Sequence, residues 1–192
     1  FLRAVEHAED DVEKGAETLR ECNFSSQDVL VGISASGRTP FVIGALRYAR
    51  QVGAATGSIF CNPGSALSKE AELPVLLEVG PEVLSGSTRL KAGTATKMAL
   101  NMLSTAVMVR LGKTFGNLMV DLTPTCEKLV HRSIGILAKS TQLSRDEAQA
   151  LLESADGDLR VATVAGLAKV SVQQARQALD GAASVREAIS NA

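Results

Sequence analysis

Two loops of this 192-residue chain carry side chains suited to holding an anion, and the first is Ser34-Ala35-Ser36-Gly37. It follows a short apolar run and precedes a helical pattern. Hydroxyls, free backbone N–H groups and the positive end of a helix dipole together favour phosphate. Serines also cap helices without binding a ligand, so spacing alone leaves both interpretations open. The G-x-x-x-x-G-K-[ST] order of a nucleotide-binding loop is absent from the sequence.

The second loop covers residues 80–94 and also leads into a helical pattern. It combines hydroxyls with cations, which can bind a sugar hydroxyl or a phosphate through charge-assisted hydrogen bonds. An ordinary helix cap with solvated basic residues explains the same pattern equally well. The side chains concerned are Ser85, Ser87, Thr88, Arg89 and Lys91.

An acidic group near the start of the chain is the third candidate. Glu6 and Asp10 are four residues apart, and Glu9 is three residues from Glu6, so a helix would bring them to one face. Carboxylates beside a sugar-phosphate pocket can act as general acids and bases. A solvated helix face is the more common explanation for such a group.

Other kinds of site find little support in the composition. Cys22, Cys61 and Cys126 are far apart, and the chain has only two histidines, so we expect no disulfide, no metal site and no cofactor. The net charge of −1, with both signs interspersed, argues against nucleic-acid binding, which needs a basic face.

The most apolar long segment, residues 98–111, is predicted to be a buried helix. It contains Asn101 and Arg110 and is shorter than the roughly 20 residues of a membrane span. No signal-peptide pattern is visible either. We therefore expect a cytoplasmic protein that does not bind a membrane.

The positions of these loops follow from an alternation of strands and helices in the first two thirds of the chain. Short apolar runs bounded by turn residues predict buried parallel strands. Because strands alternate with helices, we expect an α/β fold with a doubly wound parallel sheet. The predicted strands are 29–33, 56–61 and 74–79, and the predicted helices are 2–21, 41–52, 66–71 and 91–111.

The last third of the sequence is predicted to be helical. Ser144 and Glu147 have the spacing of a capping box, which marks a helix start. We expect a domain boundary near 139–143, between a partial sugar-phosphate domain over 1–140 and a small three-helix domain over 141–192. Before the boundary the pattern predicts an apolar segment at 118–122 and a helix over 124–138; after it, helices over 144–154, 158–168, 171–179 and 184–189.

Several of these segments resemble a known family. The stretch 31–40, with its Ser34-Ala35-Ser36-Gly37 loop, resembles the second phosphosugar loop of SIS domains, and 61–65 resembles a further landmark of that fold. Residues 79–93, 101–105 and 116–121 are similar to N-acetylmuramic acid 6-phosphate etherases in particular. Glucokinase regulatory proteins are more distant relatives. The resemblance covers essentially the whole chain, and its tail resembles a small ubiquitin-associated-like domain.

The resemblance implies a lyase that cleaves the lactyl ether of N-acetylmuramic acid 6-phosphate in peptidoglycan recycling. It implies a phosphorylated amino sugar as ligand, a homodimer, and no metal or cofactor. Residues 5–10 are similar to the family's V-E-G-A-E-D stretch, which makes Glu9 the acid/base, with His7 in place of glycine. The expected substrate-binding residues are Ser34, Ser36, Gly37, Ser87, Thr88 and Lys91.

One departure from the family pattern leaves alternatives open. The G-T-S-G-R loop and the E-C-P-P-T segment, which carries the other active-site glutamate, do not occur in this sequence. We therefore expect either a truncated chain or a decayed homologue, which lacks the first strand of the sheet and is inactive by itself. A non-catalytic phosphosugar-binding regulator and an aldose–ketose phosphosugar isomerase are the alternatives, and only the lyase would release D-lactate.

Overall fold

Three parallel strands form the sheet in the first half of the chain. The computed structural model describes residues 7–192 and places β1 (Val29–Ile33), β2 (Ala55–Phe60) and β3 (Leu73–Leu76) in the order β1-β2-β3. Val31 pairs with Gly57 and Gly57 with Leu73, so the strands lie in one direction. The prediction of an α/β fold with a parallel sheet is confirmed.

Two helices connect the strands. α2 (Pro40–Gln51) joins β1 to β2, and α3 (Leu67–Glu70) joins β2 to β3. Pro40 suits the first position of α2, where its missing N–H costs no hydrogen bond. Gly53, with φ of 81°, ends the segment in a left-handed conformation that favours glycine. Each connection returns the chain to the same edge of the sheet.

The core of this part lies between α2 and the sheet. Leu46 and Leu67 are fully buried, and Phe60 and Ala71 pack with them. At Gly32 a Cβ would lie only 2.8 Å from side-chain atoms of Val42 and Leu46. The absence of a side chain there lets α2 lie close to β1.

The helix predicted over 2–21 is wrong in its first part. A 3₁₀ turn covers Ala8–Asp10, and α1 (Val12–Glu21) begins only after Asp11. The reason is local, because the Asp11 carboxylate accepts a hydrogen bond from the Lys14 N–H at 3.1 Å and caps the helix. Glu6 lies outside the described residues, so the helical face expected for the acidic group is not tested there.

α1 and α2 pack against each other through two glycines. A Cβ on Gly15 would overlap the carbonyl oxygen of Phe41, and a Cβ on Gly44 would overlap that of Val12. The two helix backbones therefore touch directly. Any side chain at these positions would force the helices apart.

A long helix, α4 (Lys91–Arg110), follows the sheet region, and a small antiparallel hairpin comes next. The helix predicted over 98–111 is present, but the prediction that it is buried is wrong in this structure, since Met98, Met102 and Val109 are exposed. The hairpin pairs β4 (Thr114–Phe115) with β5 (Leu118–Met119). The apolar segment predicted at 118–122 includes β5, but its partner strand was not predicted, because two residues are too few for a recognisable pattern.

Five helices complete the chain, and the predicted capping box is confirmed. Ser144 accepts a hydrogen bond from the Glu147 N–H, and the Glu147 carboxylate accepts one from the Ser144 N–H at 2.8 Å. The Ser144 hydroxyl also donates to the Glu147 carboxylate, and this bond, together with the one from the backbone N–H, holds the pKa of Glu147 below its usual value. The helices are α5 (Glu127–Thr141), α6 (Arg145–Ser154), α7 (Leu159–Ala168), α8 (Val172–Leu179) and α9 (Val185–Asn191).

The chain separates into two compact units, the first ending at Asn101 and the second running from Met102 to Ala192. Within the second unit α5 contributes Ile134 and Leu137 to the same core as α6 and α7. The functional division into 1–140 and 141–192 stays a prediction. Among the described residues, no helix is both long and apolar enough to cross a membrane.

We predict that Gly44→Ala lowers the free energy of unfolding by at least about 1–3 kcal/mol, the usual cost of overpacking, because its Cβ meets backbone that cannot rotate away. Urea denaturation followed by hydrogen exchange of α2 amides measures the change. Gly57→Ala in β2 is the matched control, since its Cβ would make ordinary contacts of 3.6 Å or more. Equal stability of the two variants would contradict a direct contact between the helix backbones.

Candidate functional site

A cavity of about 380 Å³ lies beyond the carboxyl ends of the strands. The loop after β1 lines it with Ala35 and Ser36, and the loop after β2 with Cys61 and Asn62. The rest of its wall is formed by residues 79–82, residues 85–88 and Ala92. This is the edge of an open α/β sheet at which ligands are generally bound.

Ser34 and Ser36 have different places in the first loop. Ser34 is buried, and its hydroxyl lies 2.8 Å from that of Thr39 while accepting a bond from the Gly37 N–H at 3.1 Å. It therefore holds the loop in shape. Ser36 lines the cavity, and its carbonyl accepts a hydrogen bond from the Asn62 amide at 3.3 Å, which ties the two loops together.

Gly37 is required by both its backbone and its surroundings. Its φ of 67° lies in the left-handed region, and a Cβ would overlap the Ser65 hydroxyl. That hydroxyl is itself buried and has no hydrogen-bond partner within residues 7–192. Gly37, which we expected to bind substrate, is not among the residues that line the cavity; in the structure it lets the loop approach the next one closely.

The second loop brings its hydroxyls to the cavity but not the lysine. Ser85, Ser87 and Thr88 line the cavity wall, and Ser87 accepts a hydrogen bond from the Arg89 N–H at 3.4 Å. Lys91 does not line the cavity. Its ammonium nevertheless lies close to Gly80, which does line the cavity. The structure thus brings Ser36, Ser87 and Thr88 together and leaves Lys91 at the margin.

Sequence reasoning missed Glu82, which lines the same cavity. Its two carboxylate oxygens accept hydrogen bonds from the backbone N–H groups of Ala92, at 2.9 Å, and Lys91, at 3.0 Å. These two bonds, the one from Ala92 foremost, hold the pKa of Glu82 below its usual value. The carboxylate is therefore charged at neutral pH. Its partners are nine and ten residues away, so no local motif announces the contact.

Cys61 was also missed as a wall residue. Burial raises the pKa of its thiol, and a hydrogen bond with Thr96 offsets only part of that effect. The thiol is therefore neutral at physiological pH and behaves as a small apolar group. Cys22 and Cys126 are exposed and unpaired.

Glu9 lies apart from the groups described so far. It is exposed, belongs to the 3₁₀ turn before α1, and is not among the residues that line the cavity. Its neighbour Asp10 contacts His7, with 3.4 Å between the carboxylate and the imidazole nitrogen. In the described part of the chain, no three His, Cys, Asp or Glu residues are grouped as a metal site would require.

Comparison with known proteins places this geometry in a family. The SIS domain family matches residues 11–106, half of the chain. Several proteins named N-acetylmuramic acid 6-phosphate etherase are similar over almost all of it. The one from Halalkalibacterium halodurans is 53% identical over 180 residues, which are 94% of this chain and 60% of that protein.

Two further relatives of the same name give the same result. The protein from Rhodopirellula baltica is 52% identical, over 93% of this chain and 59% of its own length. The protein from Geobacillus thermodenitrificans is 51% identical, over 97% and 63% respectively. The chain thus spans about three fifths of the length of these relatives. From its match to the family and its parallel sheet with a loop cavity at the carboxyl edge, we conclude that the chain belongs to the SIS domain family.

Proposed function

We propose that this cavity binds a phosphorylated amino sugar and that the chain is part of a carbon–oxygen lyase acting on N-acetylmuramic acid 6-phosphate. The observation that carries the proposal is the meeting of Ser36, Ser87 and Thr88 in one cavity, in a chain about 50% identical to proteins named for that etherase activity. Three hydroxyls on fixed loops suit the many oxygen atoms of such a ligand. Lys91, at the margin, adds a cation.

The chemistry of the proposed reaction sets requirements on the site. A base removes the C2 proton of the open-chain aldehyde, the C3–O bond breaks, and D-lactate leaves with a proton from an acid. Water then adds across the double bond, with its oxygen to C3 and a proton to C2, giving N-acetylglucosamine 6-phosphate. Carboxylates can perform both roles when their environments separate their pKa values. No metal or organic cofactor takes part in this scheme.

Glu9 is the proposed acid/base residue of this chain. In the described structure it stands outside the cavity wall, so the proposal requires a neighbouring subunit or a further part of the protein to bring it to the ligand. Its exposure on a turn is compatible with that arrangement. The 1–140 sugar-phosphate domain and the 141–192 helical domain are proposed with it, as is a cytoplasmic location in peptidoglycan recycling.

A non-catalytic phosphosugar-binding regulator is the second candidate. The observation that favours it is the position of Glu9 outside the wall of the cavity. Such a protein would bind the sugar phosphate without breaking a bond. An isomerase would convert it without releasing D-lactate.

The proposed homodimer is supported by α4. Large apolar side chains are exposed along this helix, including Met102 at 70%, Met98 at 56% and Val109 at 51%. Exposed apolar surface of this extent on one helix is typical of an interface. A dimer would also allow one subunit to complete the cavity of the other.

We predict that Ser36→Ala weakens binding of N-acetylglucosamine 6-phosphate by about 1–3 kcal/mol, the cost of a lost hydrogen bond to a charged group, and that Lys91→Ala weakens it less. Isothermal titration calorimetry measures both affinities. Ser26→Ala, in the loop before β1, should bind as the wild type does. Wild-type affinity in both site variants would remove this cavity from consideration.

We predict that Glu9→Gln lowers kcat for D-lactate release by about 10²–10⁴-fold while leaving phosphosugar affinity nearly unchanged. The assay uses N-acetylmuramic acid 6-phosphate and a chimera in which the Halalkalibacterium halodurans relative supplies the part of its length that this chain does not match. Glu13→Gln, on the first turn of α1, is the control. Full turnover by the Glu9 variant would contradict its role, and binding without any D-lactate release from the unmodified chimera would favour the regulator.

We predict that light scattering gives a mass of about twice the 20.1 kDa of one chain at micromolar concentration. Met102→Glu should weaken the dimer at least tenfold, or about 1.4 kcal/mol, because it buries a charge among apolar side chains. Lys97→Glu makes a charge change on an exposed polar position of the same helix and should leave the mass unchanged. A monomeric wild type would contradict the proposed dimer.

A further inference from the structure

The helices that begin beside the cavity differ at their N-termini. The loop before α2 reaches the cavity through Ala35 and Ser36, and the first turn of α4 reaches it through Ala92. Within the described residues, α2 has no acidic residue in its first turn, and its N-cap, Thr39, makes no capping bond with its side chain. The hydroxyl of Thr39 is instead paired with that of Ser34. This end of the cavity therefore holds no built-in negative charge.

The other end already contains an anion. One oxygen of Glu82 accepts a bond from the Lys91 N–H and the other from the Ala92 N–H, so both oxygens are used on the first turn of α4. A phosphate at a helix N-terminus makes the same kind of contact with the same kind of donor. The carboxylate thus occupies the position that a phosphate would take, and its charge opposes the positive end of the helix.

We propose that Glu82 is a specificity-determining residue that directs the phosphate of the ligand to the Ser36 end of the cavity. The proposal rests on the proposed phosphosugar binding and adds the orientation of the phosphosugar in the cavity. The Ser85, Ser87 and Thr88 hydroxyls then receive the part of the sugar that is remote from the phosphate. The cavity accepts one phosphate, and a ligand with phosphates at both ends is rejected by the fixed carboxylate.

The sequence of charges around Glu82 supports this assignment. Arg89 and Lys91 follow in the same loop segment, so the net charge of residues 80–94 is positive and attracts the ligand over a distance. Contact with the helix N-terminus is nevertheless closed to a second anion by the two hydrogen bonds. Arg89 and Lys91 therefore attract the anionic ligand, whereas Glu82 excludes a second anion from the start of α4.

The proposal is tested by titrating the 192-residue chain with inorganic phosphate alone and following the backbone amide shifts in ¹H–¹⁵N correlation NMR spectra. In the wild type, phosphate should shift the Ser36 and Gly37 amides with saturation and leave those of Lys91 and Ala92 unshifted. In Glu82→Ala the Lys91 and Ala92 amides should show saturable shifts as well, because their donors are free. Glu82→Gln keeps a carbonyl acceptor but loses the charge. Its Lys91 and Ala92 amides should show saturable shifts that are smaller than those in Glu82→Ala.

The controls separate the possible failures. Glu78→Ala removes the same charge from an exposed position outside the cavity wall and should behave as the wild type does. Phosphate-dependent shifts of Lys91 and Ala92 in the wild type, or none in either Glu82 variant, would overturn the role of Glu82. If Glu82→Ala does not fold, Glu82→Gln decides by the same criterion. Loss of the Ser36 and Gly37 shifts in every protein would instead count against the proposed phosphosugar site.

Discussion

The parallel direction of the three strands is the constraint on which the site depends. Because β1, β2 and β3 all point the same way, each connection must carry the chain back across the sheet, and the carboxyl ends gather at one edge. Residues that are some 25 to 50 positions apart in the sequence therefore meet in one cavity. An antiparallel arrangement of the same strands would separate the loops to opposite edges.

The loops are then brought to a common shape by contacts that leave little freedom. The Ser34 hydroxyl hydrogen-bonds to the Thr39 hydroxyl and accepts a bond from the Gly37 N–H. The Asn62 side-chain amide donates to the Ser36 carbonyl. The loop after β1 is thus held by hydrogen bonds within itself and by one bond from the loop after β2. A pre-shaped loop loses less conformational entropy when a ligand binds than a mobile one would. The half-buried Ser36 lines the cavity and is available to a ligand, because the buried Ser34 holds the loop in shape.

Sequence reasoning succeeded where the signal is local. The apolar run 29–33 gave β1 with its bounds, and the Ser144–Glu147 spacing gave the start of α6. It failed where a local competitor or a distant partner decides the outcome. Asp11 interrupts the predicted first helix by capping a later one, and Glu82 finds its donors across a loop. The sequence could not show that Ser34 is buried while Ser36 lines the cavity, because the two serines have the same side chain and lie two residues apart.

The direct backbone contact between α1 and α2 has a mechanical consequence. Gly15 lies against the first turn of α2 at Phe41, and Gly44 lies against the first turn of α1 at Val12, so neither helix can slide or tilt without the other. At Gly15 and Gly44 no side chain separates the two helix backbones. α1 and α2 therefore pack as one rigid pair, which connects the turn that carries Glu9 to the helix start that follows the Ser36 loop.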